Sequence, residues 1–211
     1  MFTHYYTRGV VLAKKPIGEC DEIVTLYTRD FGMVKVVGKS IRKSNSKLKM
    51  GVPLFSYTEV GFIQGKSYNT LIDATLISNF KNAKTDIGKT SLFYRLSEII
   101  LSLIQGEERD ENVFFFILDS FEKVDKLDLS RKKMKVFYYL FSLRFLYLLG
   151  HKINIEECVF CGKKVKKRCY FNPREGEVCC RECLRGKSEG VYLENTWLLQ
   201  KLMRKKNYEA N

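Results

Sequence analysis

Histidine is scarce in this sequence, and the short motifs of common catalytic sites are missing from it. Only His4 and His151 occur among the 211 residues. There is no nucleophile elbow and no phosphate-cradling glycine loop of the nucleotide-binding types. With so few general acid–base candidates, we expect a protein that is not an enzyme.

The sequence also lacks a secretory signal and a long hydrophobic run. Its first residues, MFTHYYTRGVVLAKK, do not show the basic segment followed by an apolar segment that marks a signal peptide. The longest apolar stretch, residues 136–149, is interrupted by Ser142 and Arg144 and falls short of the roughly 20 residues that cross a bilayer. We therefore expect no export and a cytoplasmic protein whose seven cysteines stay reduced.

Acidic residues are few compared with basic ones. The chain has 24 Asp and Glu against 37 Lys and Arg, and its formal net charge is +13. Such a surplus attracts polyanions, so nucleic acid or an anionic membrane is the expected class of partner. Charge alone does not choose between the two.

The first 80 residues carry the signals of short β-strands. Runs of β-branched and aromatic residues are separated by turn residues such as Asp30-Phe31-Gly32 and Gln64-Gly65-Lys66. The runs cover residues 5–12, 22–28, 33–37, 55–63 and 68–77. Five short strands in a segment of this length predict a small closed barrel.

From about Thr85 the pattern changes to helical spacing. Apolar residues recur three and four positions apart over residues 93–104 and again over 113–124. A third helix should begin after Ser130 with a basic first turn, be nearly apolar all round from Val136, form the centre of a bundle, and end at Gly150. A last amphipathic helix should follow Asn195.

Two cysteine pairs carry the most specific signal in the chain. Cys158 and Cys161 form one C-x2-C pair, and Cys180 and Cys183 form another after the 18 residues 162–179. A tight turn can direct both sulfurs of a pair to one ion, and two turns complete a tetrahedron. Four protein ligands leave no open position, so we expect one structural Zn²⁺; buried thiols or a redox pair are the alternatives.

The other candidate ligands fit less well. Cys179 would give an x3 spacing to Cys183, so we interpret it as a spectator beside Cys180. Cys20 and Cys169 are interpreted as packed or exposed thiols. His151 lies seven residues before Cys158 and is interpreted as a helix-end or surface residue.

A polar loop follows the third strand and contains no acidic residue. Its five cations are Lys39, Arg42, Lys43, Lys47 and Lys49. Such a loop suits phosphates, and small barrels bind single strands along a groove edged by loops, although a merely solvated loop is the alternative. Aromatic side chains that could stack on bases, or fill the core instead, are Tyr5, Tyr6, Phe31, Tyr57, Phe62 and Tyr68.

The basic run 163–168 could be a second phosphate contact or a solvated loop.

The order of these parts resembles the bacterial DNA-repair and recombination mediator family RecO, over nearly the whole chain. The resemblance rests on residues 9–12, 18–24, 28–32 and 39–43, and on the cysteine segment 158–162, 170–173 and 176–183. Ser40 and Glu177 stand where the family's pattern usually has glycine. The resemblance implies an α+β protein, with a five-stranded OB-fold nucleic-acid-binding domain over residues 1–80 and an α-helical domain over 81–211. This second domain carries a four-cysteine zinc finger inserted at about 151–190.

The same resemblance implies the function. The family binds single- and double-stranded DNA, anneals complementary strands, engages single-strand-binding protein, and acts with RecR to help RecA load. The chain would then be a cytoplasmic, nucleoid-associated mediator without a membrane partner. The acidic and apolar tail of single-strand-binding protein needs cations beside an apolar notch, which Arg131, Lys132, Lys133 and Phe137 offer. An alternative from another class is a zinc-ribbon structural or RNA-binding protein of the ribosome or transcription machinery.

Overall fold

The computed structural model describes residues 3–104, 106, 108–128, 130–151, 157–165, 169–172, 177–183 and 191–193. One compact unit ends at Arg131, and a second one begins at Lys132. The helix predicted after Asn195 lies outside the described residues.

Five strands of the first unit form a closed barrel. They are β1 (His4–Ile17), β2 (Asp21–Thr28), β3 (Gly32–Gly38), β4 (Tyr57–Ile63) and β5 (Asn69–Ser78). Their order around the barrel is β1-β2-β3-β5-β4, and antiparallel pairing of β1 with β4 closes it. A small five-stranded barrel of this kind is an OB-fold, so the prediction for the N-terminal part is confirmed.

One seam of the barrel is much shorter than the others. Strands β3 and β5 run parallel and pair only at Val36 with Asn69 and at Val37 with Thr70. The other neighbouring strands are antiparallel and pair along most of their length. The barrel is therefore least sealed between β3 and β5.

Strand alternation fills the interior of the barrel. Along β3, Val34 and Val36 are buried whereas Lys35 is exposed, which is the two-residue period of a strand with one face inward. The same core includes Val11, Val24, Leu26, Ile41, Val52, Val60, Phe62 and Leu71. These apolar side chains explain why the runs seen in the sequence form one barrel rather than separate hairpins.

The described residues of the first unit also form four helices: α1 (Lys47–Gly51), α2 (Lys81–Thr85), α3 (Ile87–Leu103) and α4 (Glu111–Lys126). The Asp86 side chain accepts a hydrogen bond from the Lys89 N–H at the start of α3, and Asp110 caps α4 in the same way. Phe93 of α3 stacks on Phe121 of α4 with ring centroids 4.6 Å apart. Phe55, just before β4, contacts both rings and so joins the barrel to the helices.

Gly51 of α1 lies close against the backbone of strand β5. A Cβ at this position would lie 2.2 Å from the carbonyl oxygen of Ala74. Since backbone cannot yield as a flexible side chain can, we expect Gly51→Ala to destabilise the protein by about 1–3 kcal/mol. The measurement is urea unfolding, with Gly106→Ala as control because the nearest atoms to a Cβ there are 3.9 Å away. Equal stability of the two variants would contradict the prediction.

Helix α5 (Arg131–Leu148) begins at the boundary, and the second unit contains its residues from Lys132 onward together with a three-stranded sheet. The sheet has the order β7-β6-β8, with β6 (Cys169–Asn172), β7 (Glu177–Cys180) and β8 (Val191–Leu193). Helix α5 is less buried than its apolar composition predicts, because only residues 141–145 are fully buried along it. Residues 136–140 and 146–149 are exposed or half-buried, so the prediction of a buried helix over 136–149 holds only for its middle turn. Among the described residues, no helix has the length and apolar character that a bilayer crossing requires.

Candidate metal centre and nucleic-acid surface

The first cysteine pair lies on a tight turn held by the backbone. The N–H of Gly162 donates to the carbonyl of Cys158 over 2.8 Å, and the N–H of Cys158 donates to the carbonyl of Lys163 over 2.9 Å. Gly162 has a φ of 66°, a left-handed conformation that glycine adopts without a Cβ clash. The turn therefore places Cys158 and Cys161 on one side of the backbone, as the two-residue spacing predicts.

The second pair follows strand β7. Cys180 ends this strand and Cys183 lies three residues later, in the turn that follows it. Two hydrogen bonds bring this segment to the first turn: Val159 N–H donates to the Val178 carbonyl over 3.0 Å, and Cys180 N–H donates to the Cys158 sulfur over 3.3 Å. These two hydrogen bonds bring together cysteine pairs that are distant in sequence.

The four sulfurs all lie within 4.8 Å of one another. Those of Cys161 and Cys180 are 3.8 Å apart. Zinc–thiolate bonds of about 2.3 Å in a tetrahedron separate their sulfurs by about 3.8 Å, so the donor set and its spacing fit a tetrahedral thiophilic ion. Cys158, Cys161, Cys180 and Cys183 could therefore hold one metal ion.

The thiols of this cluster differ in acidity. Burial raises the pKa of Cys158, but hydrogen bonds from the N–H groups of Cys180, Cys161 and Phe160 outweigh burial and lower the pKa to about 6. The pKa of Cys183 rises to about 12, chiefly because its thiol donates to the sulfurs of Cys180 and Cys161. Sulfurs this close compete for negative charge, and a divalent cation would let all of them ionise together.

The remaining cysteines lie apart from the sulfur cluster among the described residues. Cys179 is buried in an apolar group with Leu143 of α5, Val165 and Val178, so its position on β7 supports packing. Cys20 lies in the turn between β1 and β2 and is half-buried. The side chain of Cys169 lies outside the described part of the chain.

The cationic loop begins at the end of β3, and its last two cations belong to a helix. Lys39, Arg42 and Lys43 lie in the loop, whereas Lys47 and Lys49 lie on α1, a short helix that the sequence did not predict. All five side chains are exposed. They are therefore accessible to a polyanion.

Two interactions fix the shape of this loop. Ile41 is fully buried in the barrel core and anchors the loop from below. Ser40 has a φ of 53°, and its N–H donates to Asp21 over 2.7 Å. This left-handed conformation explains why glycine would suit position 40 better.

The loop contacts turns on both of its sides. The Arg42 guanidinium donates to the carbonyls of Gly18 and Glu19, over 3.3 and 3.1 Å, in the turn between β1 and β2. The Lys39 ammonium lies 6.0 Å from the ring centroid of Tyr68, in the turn between β4 and β5. Three loops therefore meet at one rim of the barrel, and two of them, the β1–β2 and β4–β5 loops, correspond to loops with which OB-folds bind oligonucleotides.

Comparisons with known proteins agree with this arrangement. The family model described as "Recombination protein O N terminal" matches residues 1–80, and the one described as "Recombination protein O C terminal" matches residues 84–210. The chain belongs to the RecO family. The family is one of DNA repair and recombination, as the resemblance of the motifs predicted.

Individual relatives cover most of the chain. A DNA repair protein RecO of Caldanaerobacter subterraneus is 30% identical over 177 residues, which are 84% of this chain and 70% of the relative. One from Dehalococcoides mccartyi is 28% identical over 180 residues, 85% of this chain and 70% of the relative. One from Desulfatibacillum aliphaticivorans is 31% identical over 188 residues, 84% of this chain and 72% of the relative.

The aromatic residues singled out in the sequence fall into two groups. Tyr5, Phe31 and Phe62 pack together, with ring centroids 5.3 to 5.6 Å apart. Tyr57 contacts Phe114 of α4 and so supports the barrel–helix contact. Tyr6 and Tyr68 are the exposed ones, at 60% and 51%. Sequence alone did not separate these roles, because alternate residues of any strand point inward and outward.

The predicted partner site lies at the start of α5. Arg131, Lys132 and Lys133 are exposed, and Phe137 one turn later is half-buried, so this RecO-family chain presents cations beside an aromatic ring there. Of the basic run 163–168, Lys163 forms an ion pair with Glu182 over 3.5 Å. Residues 166–168 lie outside the described part of the chain.

Sequence reasoning missed the two amide side chains of Gln64 and Asn69. They line a cavity at the barrel mouth together with Tyr5, Phe31 and Phe62. Their position in and beside a predicted turn gave no signal, because turn residues are commonly polar. Only the pairing of strands that are distant in sequence places these two amides beside the rings of Tyr5, Phe31 and Phe62.

Proposed function

We propose that this chain is a DNA-binding recombination mediator that anneals complementary strands and has no catalytic activity of its own. The observation that supports this most is the meeting of three loops at one rim of the barrel, with exposed cations on the loop after β3. Membership of the RecO family supports the same role in DNA recombination. Both single- and double-stranded DNA are ligands, because a phosphate-binding surface accepts either.

Annealing needs charge neutralisation more than it needs an active site. Two strands repel each other through their phosphates, and a cationic surface reduces that repulsion while releasing condensed counterions. The net charge of +13 adds a long-range attraction that gathers both strands. Because the cations bind phosphates, the bases remain available for pairing.

The direct test measures the annealing of two complementary, unstructured oligonucleotides. Fluorescence monitors the reaction at increasing salt concentrations. We expect the protein to accelerate annealing at low salt and to lose this effect as salt screens the phosphates. No acceleration, together with tighter binding of one folded RNA than of either oligonucleotide, would refute the proposal and favour the ribosomal or transcription class.

The metal in this proposal is a single structural zinc ion on Cys158, Cys161, Cys180 and Cys183. Zinc favours four thiolates in a tetrahedron, and it would supply cross-linking rather than chemistry. The cysteine segment packs against α5 through a small apolar cluster that includes Leu143, Cys158 and Val178. A cluster this small leaves much of the folding free energy to the ion.

The partners in this proposal are RecR, single-strand-binding protein and, indirectly, RecA. RecR and the mediator would help RecA load on DNA coated with single-strand-binding protein. The C-terminal tail of that protein is acidic and apolar, which suits the cations and Phe137 at the start of α5.

Changing Arg131, Lys132 and Lys133 together to alanine should weaken binding of a tail peptide by about tenfold or more, because charge-assisted contacts are lost. Fluorescence anisotropy of a labelled peptide measures this. The control replaces Lys39, Lys43 and Lys47, which removes the same charge from another surface. If both triple variants bind the peptide equally well, the site at α5 is ruled out.

A further inference from the structure

A cavity of about 130 Å³ opens at the mouth of the barrel. Its walls come from the start of β1, the turn before β3, the end of β4 and the start of β5, beside the short β3–β5 seam. The lining side chains are Tyr5, Phe31, Val34, Phe62, Gln64 and Asn69. Pockets for drug-sized ligands occupy about 300–1,000 Å³, so this one admits a single planar ring system rather than a whole nucleotide.

Three of the six side chains that line the cavity are aromatic rings. Tyr5 and Phe62 are stacked with an interplanar angle of 27°, while Phe31 stands at 78° to both. Phe31 and Tyr5 are only half-buried, so the mouth leaves aromatic surface accessible to a ligand. Base–aromatic stacking tolerates any sequence, since every base has a π-face.

The rim of the cavity is polar but uncharged. Gln64 is exposed and Asn69 is half-buried, and within the described part of the chain neither side-chain amide has a hydrogen-bond partner. An amide offers both donors and an acceptor, which matches the edge of a nucleobase. A charged ligand would find no counter-ion among the six lining residues.

Charges on the two sides of the mouth differ in sign. Asn69 follows Tyr68, whose ring lies beside the Lys39 ammonium, so the cationic loop reaches one side. On the other side Asp30, next to Phe31, accepts a hydrogen bond from the Thr7 hydroxyl over 2.7 Å. A phosphate backbone would therefore pass on the side of Lys39 and avoid Asp30.

We infer that this cavity binds one unpaired nucleobase of a single strand whose phosphates contact the cationic loop. The base contacts Phe31 and Tyr5, and Gln64 and Asn69 hydrogen-bond to its edge. A paired base cannot enter, so the cavity distinguishes single strands from duplexes. This inference rests on the proposed DNA binding and adds to it a base-recognising subsite.

The test compares oligothymidylate with a phosphodiester of equal length that carries only abasic units. The wild-type protein should prefer oligothymidylate, and Phe31→Leu should reduce that preference by roughly 5- to 150-fold, the range for losing one stacked base. The double variant Gln64→Ala with Asn69→Ala should reduce it as well, by a smaller factor. Because no phosphate contact changes, the slope of log affinity against log salt should stay constant, as should duplex affinity.

Phe115→Leu is the matched control, because Phe115 is a half-buried ring on α4 outside the cavity lining. The amide variant keeps the test valid if Phe31→Leu unfolds. An unchanged thymidylate preference in the folded variants, or no preference in the wild type, overturns the subsite. Whether Lys39→Ala with Lys43→Ala then still flattens the salt slope decides separately whether the proposed DNA binding stands.

Discussion

Replacing Cys180 with serine should remove most of the bound zinc and strongly destabilise the second unit. Cys180 contributes both a sulfur to the cluster and the N–H that donates to Cys158. Structural zinc sites supply much of the folding free energy of small units, so we expect a loss on the order of 4 kcal/mol or more. This corresponds to a fall of roughly 20 °C in the melting temperature. Metal analysis should give about one zinc per wild-type chain.

Cys179→Ser is the sharpest control, since it places the same substitution one residue away on the same strand. Cys179 is buried in the apolar cluster, so a serine there should cost about 1–3 kcal/mol but leave the zinc content unchanged. Full zinc in Cys180→Ser together with its loss in Cys179→Ser would reverse the ligand assignment. Absence of metal from the wild-type protein would eliminate the site.

The features that the sequence predicted well are those encoded by local patterns. Alternation such as Val34-Lys35-Val36 identifies a strand with one buried face, and repeated apolar spacing identifies α3 and α4. The spacing of each cysteine pair is likewise local, because two residues suffice for a turn such as the one closed by Gly162. These patterns predicted the barrel, the two helices α3 and α4, and the cysteine cluster.

Other features depend on distant parts of the chain, which local patterns cannot reveal. The parallel pairing of Val36 with Asn69 joins strands separated by a loop, a helix and another strand. The short helices α1 and α2 contain five residues each, which is too short for a helical period to stand out. The extent of burial along α5 also depends on its neighbours, so composition alone overestimated it.

Arg42 of the candidate DNA-binding loop shows how a residue's role can depend on distant parts of the chain. In the sequence it is one of five equivalent cations, but in the structure its guanidinium donates to the Gly18 and Glu19 carbonyls. Replacing it would alter the loop conformation as well as the charge. Lys39 and Lys43 are therefore better probes of phosphate contact than Arg42.

Replacing Lys39 and Lys43 together with alanine should flatten the slope of log affinity against log salt by about 1.4 on single strands, because each lost phosphate contact accounts for about 0.7. The ratio of wild-type to variant affinity should then shrink by about sevenfold between 50 and 200 mM salt. Affinity should fall alike for all sequences, since phosphates carry no sequence information. Salt titrations with an unstructured oligonucleotide measure this slope.

The matched control is Lys123→Ala with Lys126→Ala on α4. It also removes two positive charges, but these ammonium groups are paired with Asp119 and Glu122 along the helix. If the barrel loop contacts phosphates, the control should change affinity only slightly and leave the slope intact, because exposed charges beyond about 10 Å are screened at ordinary salt. Equal changes of slope in both pairs would mean that binding belongs to the whole basic surface. The loop after β3 would then have no special role, even though its cations are exposed beside two other loops of the barrel.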